Sequence, residues 1–203
     1  MTEMLPLFLN VAGRRVVLVG GGPVAAAKLR QLLAAGASVH LVAPEISPDL
    51  DDVASRSQGR EGGSESPGPQ LIRRAFLPSD LDEAWLVVAA ATPEVNREVA
   101  AAAEARRVFV NAVDDPANAT AFLSGVVRRD GVTIAISTQG DAPALTALLR
   151  EALDRLLPRD LARWLDTARQ QRVVWKRETV PMGARKPQLL EALNELYAGG
   201  SYL

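Results

Sequence analysis

Residues 15–43 read RVVLVGGGPVAAAKLRQLLAAGASVHLVA. Val16 to Val19 is an apolar, β-branched run that stops at Gly20, Gly21 and Gly22. From Pro23 onward the apolar positions Val24, Ala27, Leu29, Leu32 and Leu33 follow a helical repeat that ends at Gly36. Ser38 to Ala43 is again β-branched and is bounded by Gly36 and Pro44, so the stretch predicts a strand–helix–strand unit of about 30 residues with a right-handed crossover. Gly20 to Ala25 fits the pattern G-x-G-x-x-A at the point where a strand gives way to a helix. The first glycine permits the tight turn, the second lets a pyrophosphate approach the backbone, and Ala25 keeps helix and strand close. The helix N-terminus adds unpaired N–H donors. Gly20, Gly21, Gly22, Pro23 and Val24 are therefore candidate dinucleotide contacts, with a purely structural glycine turn as the alternative.

An acid that takes the ribose hydroxyls is expected about 20 residues further on. Here Val42, Ala43 and Pro44 precede Glu45, which either reaches the ribose from slightly further out or is a plain surface acid. No arginine stands at positions 43–45 to accept a 2′-phosphate, which favours NAD over NADP. Three more strands are expected at Leu71–Phe76, Trp85–Ala90 and Arg107–Asn111, with a helix over Pro93–Arg106. Strands alternating with helices predict a parallel sheet covered on both faces. Arg56 to Gln70 has four glycines and two prolines and no large apolar side chain, and reads as a flexible surface loop.

After Val113 the pattern changes. Phe122–Arg129 and Val132–Ser137 predict strands of a small second sheet, and a long helix follows with Asp141 as N-cap and Pro158 as stop. Its leucines and alanine at 145, 148, 149, 152, 153 and 156 form one apolar face. Helices from Asp160 to Lys176 and from Pro187 to Tyr197 complete the chain. The expected class is α/β: a Rossmann-like parallel sheet with helices on both faces, then a small β dimerisation region, then an α-helical C-terminal region. The corresponding divisions are 1–113, 114–143 and 144–203.

Composition narrows the chemistry. The 203 residues include no cysteine and one histidine, with 23 basic and 24 acidic side chains. A disulfide scaffold, a zinc finger, a thiol enzyme and a His-based triad are excluded. Near-neutral charge and 4% aromatics argue against nucleic acid. No apolar run approaches the ~20 residues of a membrane helix, and Glu3 stands where a secretory signal carries bases, so a cytoplasmic protein is expected.

Two further segments carry candidate chemistry. Asn111-Ala-Val-Asp114-Asp115-Pro116 ends the fifth strand, where open α/β sheets form their crevice. Its carboxylates read equally as a general base or as an ordinary Asp-Pro turn, and spacing alone does not choose between Asp114 and Asp115. Ser137 to Pro143 joins a strand to the long helix, and its hydroxyls serve either an anion or helix capping. His40, Trp164 and Trp175 read as packing residues.

Taken in order, Pro6–Asn10, Val16–Ala25 with Lys28, Val42–Glu45, Ala90–Thr92 with Asn96, Asn111–Asp114, Thr133–Ser137 and Pro143–Leu157 resemble the precorrin-2 dehydrogenase family, the N-terminal part of siroheme synthases. The resemblance implies NAD-dependent oxidation of precorrin-2 to sirohydrochlorin in a homodimer, and in some members insertion of Fe2+ or Co2+ in the same crevice. It places the family aspartate on Asp114 and the NAD contacts on Gly20 to Val24, Pro44, Glu45 and Thr92. Substrate contacts fall on Asn111, Ser137 and Thr138, and no metal ligand is indicated. Gln139 departs from the family pattern, standing where a glycine is usual. Two other classes share parts of these features: an NAD-responsive regulatory module without catalysis, and a chelatase without redox activity.

Overall fold

The computed structural model describes residues 3–58, 68–123 and 125–198. Five strands, β1 (Arg15–Val19), β2 (Ser38–Val42), β3 (Gln70–Ile72), β4 (Leu86–Ala89) and β5 (Phe109–Ala112), form a wholly parallel sheet in the order β3-β2-β1-β4-β5. Near-continuous apolar strands suit a sheet buried on both faces, and β1 and β4 are buried almost throughout. On one face Val16, Leu18, Val39, Leu41 and Val88 pack against α1 (Pro23–Ala34) and α2 (Pro48–Gln58). On the other, Val17, Val19, Val87 and Val110 pack against α3 (Pro93–Arg106).

An antiparallel hairpin, β6 (Gly125–Arg129) and β7 (Val132–Ile136), is followed by α4 (Pro143–Leu156), α5 (Leu161–Arg177) and α6 (Met182–Ala198). The chain divides into two compact units, Met1–Leu123 with Gln139–Asp141, and Ser124–Thr138 with Ala142–Leu203. In the second unit the tryptophans do pack helices: Trp164 Nε1 donates to the Tyr197 hydroxyl and Trp175 Nε1 to Gln188 at 2.7 Å, tying α5 to α6.

Several boundaries differ from those read in the sequence. Helix α2 was not foreseen: its composition is polar, and only Leu50 and Ala54 are buried, so its apolar stripe is too thin to stand out. The loop expected from Arg56 begins later because α2 continues to Gln58, and positions 59–67 lie outside the described residues. β3 stops at Ile72, since Arg73 and Arg74 turn to pair with Asp51 and Asp80. β5 starts at Phe109 because Arg107, at φ 57°, ends α3 in the left-handed conformation. β6 likewise starts at Gly125 rather than Phe122. The N-cap of α4 is Ala142, not Asp141, with no side-chain cap; the Thr138 hydroxyl accepts the Ala142 N–H at 3.3 Å. Helix α6 begins at Met182 and carries Pro187 within it.

Candidate functional site

The strand order reverses between β1 and β4, so the chain leaves their carboxyl ends toward opposite faces of the sheet, α1 on one side and α3 on the other. A crevice forms at such a switch point. Here it is a cleft of ≈ 310 Å³, lined by Val24 of α1, by Ala90, Ala91, Pro93 and Asn96 after β4, and by Val113, Asp114 and Asp115 after β5.

The three glycines do three different things. Gly20 has φ 128°, and a Cβ on it would lie 2.2 Å from the Ala90 carbonyl oxygen, so it holds the ends of β1 and β4 together. A Cβ on Gly21 would lie 1.7 Å from the Glu45 carbonyl oxygen, and the Ser47 N–H donates to the Gly21 carbonyl at 2.9 Å. Gly21 is therefore fixed by the β2 corner. Gly22 has nothing within 4 Å of a Cβ and an extended backbone, φ −92° and ψ −173°, that any residue adopts. Its missing side chain leaves open space at the N-cap of α1.

Pro23 is the first residue of α1, and the first N–H bonded within the helix is that of Ala26, to Gly22 at 3.1 Å. The preceding N–H groups project from a positive helix end beside the space that Gly22 leaves. This cradle fits the pyrophosphate of a dinucleotide. Pro44 and Glu45 are exposed at the β2 corner, and Glu45 has no side-chain hydrogen bond or ion pair among the described residues, which leaves its carboxylate available to ribose hydroxyls. The arginines after β3 are already engaged: Arg73 with Asp51, and Arg74 by both guanidinium nitrogens with Asp80. Thr92 caps α3, its hydroxyl accepting the Val95 N–H at 3.5 Å.

The structure sets apart the two aspartates that spacing alone left equivalent. Asp115 is half-buried, and its Oδ2 accepts from Asn118 Nδ2 at 2.8 Å, so it braces the turn after β5. Asp114 is exposed, lines the cleft, sits at φ 56°, and has no hydrogen bond or ion pair among the described residues. A left-handed aspartate costs about 1 kcal/mol, and such strain gathers at functional sites. The Asp114 carboxylate acts on Lys28 of α1: burial pushes the lysine ammonium below its ordinary value and Asp114 pulls it back up.

Asn111 is 6% exposed, donates from Nδ2 to the Ala121 carbonyl at 3.0 Å, and keeps a buried Oδ1 without a partner. It braces the β5 corner from inside rather than facing solvent. Ser137 and Thr138 belong to the second unit; Ser137 is exposed, and the Thr138 hydroxyl is 2.9 Å from that of Thr146 and also accepts the Ala142 N–H. Gln139 sits at φ 58°, a conformation that suits the glycine usual at this position in the resembled family.

Asn96 was not singled out as a site residue. It is 4% exposed, and its Oδ1 accepts the Ala91 N–H at 3.0 Å, holding the β4 corner that walls the cleft. A polar residue among the apolar positions of a short amphipathic helix was the available signal. Ser47, whose Oγ is buried without a partner beside the glycine turn, gave none. Among the described residues, no group of three or more His, Cys, Asp or Glu is placed to hold a metal ion, and no helix is long and apolar enough to cross a membrane.

Residues 7–125 match the family model described as "Putative NAD(P)-binding". The chain is 37% identical over 185 residues to siroheme synthase 3 of Aeromonas hydrophila, covering 91% of this chain and 37% of that protein. Siroheme synthase 2 of Klebsiella pneumoniae is also 37% identical, over 91% of this chain and 38% of its own length. The chain thus spans less than two fifths of these relatives. Among solved structures, SirC, a precorrin-2 dehydrogenase, superposes with a TM-score of 0.65 at 22% identity, covering 93% of this chain and 88% of that one. At that identity the likeness is one of fold.

Proposed function

The chain belongs to the NAD(P)-binding family matched over residues 7–125, and from that premise we propose that it is an NAD-dependent dehydrogenase that oxidises precorrin-2 to sirohydrochlorin on the route to siroheme. Its similarity to siroheme synthases over 91% of its length supports the substrate, as does a fold shared with a precorrin-2 dehydrogenase. The observation that carries the reading is a cleft that joins the first turn of α1, through Val24 and next to the open Gly22, to the Asp114 carboxylate on the β5 side.

The oxidation removes a hydride and a proton from the tetrapyrrole. Bound NAD+ supplies the two-electron acceptor. The N-terminus of α1 and the space at Gly22 hold the pyrophosphate, and Glu45 at the Pro44 corner takes the ribose hydroxyls. NAD is favoured over NADP because Arg73 and Arg74 are committed to aspartates. Thr92 and Asn96 fix the β4 corner, and Ala90 with Val113 gives the cleft an apolar wall that keeps water from the transfer. Asp114 accepts the proton through its free carboxylate. Asn111 serves the substrate by bracing the Asp114 corner; in the second unit Ser137 and Thr138 are the candidate substrate contacts, and Thr138 orders the start of α4.

A homodimer belongs to the same reading. Leu145, Leu148, Leu149 and Leu156 of α4 are all exposed, Leu156 to 77%, along one helix face. A second copy of the chain is the partner that covers them. The reading also keeps the cytoplasmic placement expected from the sequence.

The role of Asp114 is tested with Asp114→Ala. Turnover of precorrin-2 should fall by about 10²-fold or more with NAD affinity unchanged. Unchanged turnover would remove the base assignment.

A further inference from the structure

The proposed reaction gives Lys28 no role. It lies on α1 one turn beyond Val24, which lines the cleft, and so shares that side of the helix. It is half-buried, and among the described residues its ammonium has neither a hydrogen bond nor an ion pair within 4.0 Å. Lysine is seldom held in this way, because a partly desolvated ammonium without a partner is unfavourable and an apolar residue would pack the same space better. The Asp114 carboxylate, on the far wall of the same cleft as Val24, favours the charged form of this ammonium.

A half-buried ammonium on the Val24 side of α1 and a carboxylate lining the cleft suit a ligand that presents an anion to the first and a reacting C–H to the second. The anion of the cofactor is already accounted for, since the N–H groups of α1 and the space at Gly22 lie at the beginning of the helix. The remaining anionic ligand is the tetrapyrrole, whose rim carries carboxylate side chains. Resting on the proposed function, we infer that Lys28 is a substrate-positioning residue, whose ammonium pairs with a rim carboxylate of the tetrapyrrole and so sets the macrocycle against Asp114.

Lys28→Met keeps the packing of the stem and removes the charge; Lys28→Arg keeps the charge. Both are compared with the unaltered chain by calorimetric titration with sirohydrochlorin at two salt concentrations and with NAD, and by kcat and KM for precorrin-2. Lys28→Met should weaken sirohydrochlorin binding and raise KM by about tenfold, equivalent to about 1.4 kcal/mol. It should also reduce the salt dependence of binding, with the Kd for NAD within about twofold of the unaltered value. Lys28→Arg should recover most of the loss. Equal sirohydrochlorin affinity and salt dependence in Lys28→Met would overturn the inference, as would a loss of NAD binding in that variant. An unaltered chain that binds NAD but not sirohydrochlorin would instead overturn the proposed function, and the inference with it.

Discussion

Alanine at adjacent glycines should separate folding from cofactor binding. At Gly21 a Cβ would sit 1.7 Å from the Glu45 carbonyl oxygen and 2.9 Å from its carbon, and ordinary contact begins near 3.4 Å. The β2 corner must retreat by as much again, against backbone that Ser47 ties to Gly21. Overpacking of this kind costs about 2–3 kcal/mol. For a chain of this size that lowers Tm by about 4–12 °C. At Gly22 a Cβ meets nothing within 4 Å and the backbone already suits alanine. The penalty there is that of a poorer N-cap, about 1 kcal/mol, or about 2–4 °C in Tm. The new methyl instead occupies the space kept for the pyrophosphate, and the Kd for NAD should rise by about tenfold or more. Thermal melts with and without NAD, together with calorimetric titration, read both quantities. Wild-type NAD affinity in Gly22→Ala, or a Gly21→Ala melt within a degree of the parent, would refute the division of roles.

Acid should weaken the fold in two stages. Burial, then Arg15, holds His40 below its ordinary value, so the unfolded chain takes up that proton first, and stability falls as pH drops below about 6.5 and on through the folded His40 value. His40→Asn should remove this slope from a denaturant titration. The hydrogen-bonded Arg74 guanidinium holds Asp80 below the usual carboxylate range, so its contribution is complete above about pH 4 and is lost as pH falls through the lowered value. Asp80→Asn at neutral pH should cost about 1–3 kcal/mol, read by urea unfolding. Leu148→Glu with Leu156→Glu on α4 should convert a dimer to a monomer by light scattering, and a dimer that survives both charges would place the interface elsewhere.

The parallel sheet and its glycine turn were legible because their signals are local: β-branched runs, a Gly-rich break, and helical spacing up to Gly36. Helix α2 was not, because its apolar face, Leu50, Val53 and Ala54, spans a single turn among polar neighbours. The strand ends moved where a side chain found a distant partner, as Arg73 did with Asp51, and such pairs carry no local mark. Spacing placed Asp114 and Asp115 together at the crevice but could not rank them. The hydrogen bond from Asn118 to Asp115 and the left-handed backbone of Asp114 set the two apart, and both depend on how the turn after β5 closes. The same applies to Gly21, whose role is set by the Glu45 carbonyl in the corner after β2.

The most direct measurement is to supply the purified protein with precorrin-2 and NAD+ in the absence of oxygen and to follow NADH and sirohydrochlorin in the same cuvette. The account predicts that both appear together, one NADH for each sirohydrochlorin, at a rate proportional to protein. Saturable NAD binding with neither product formed would contradict it and leave a nucleotide-responsive module in its place.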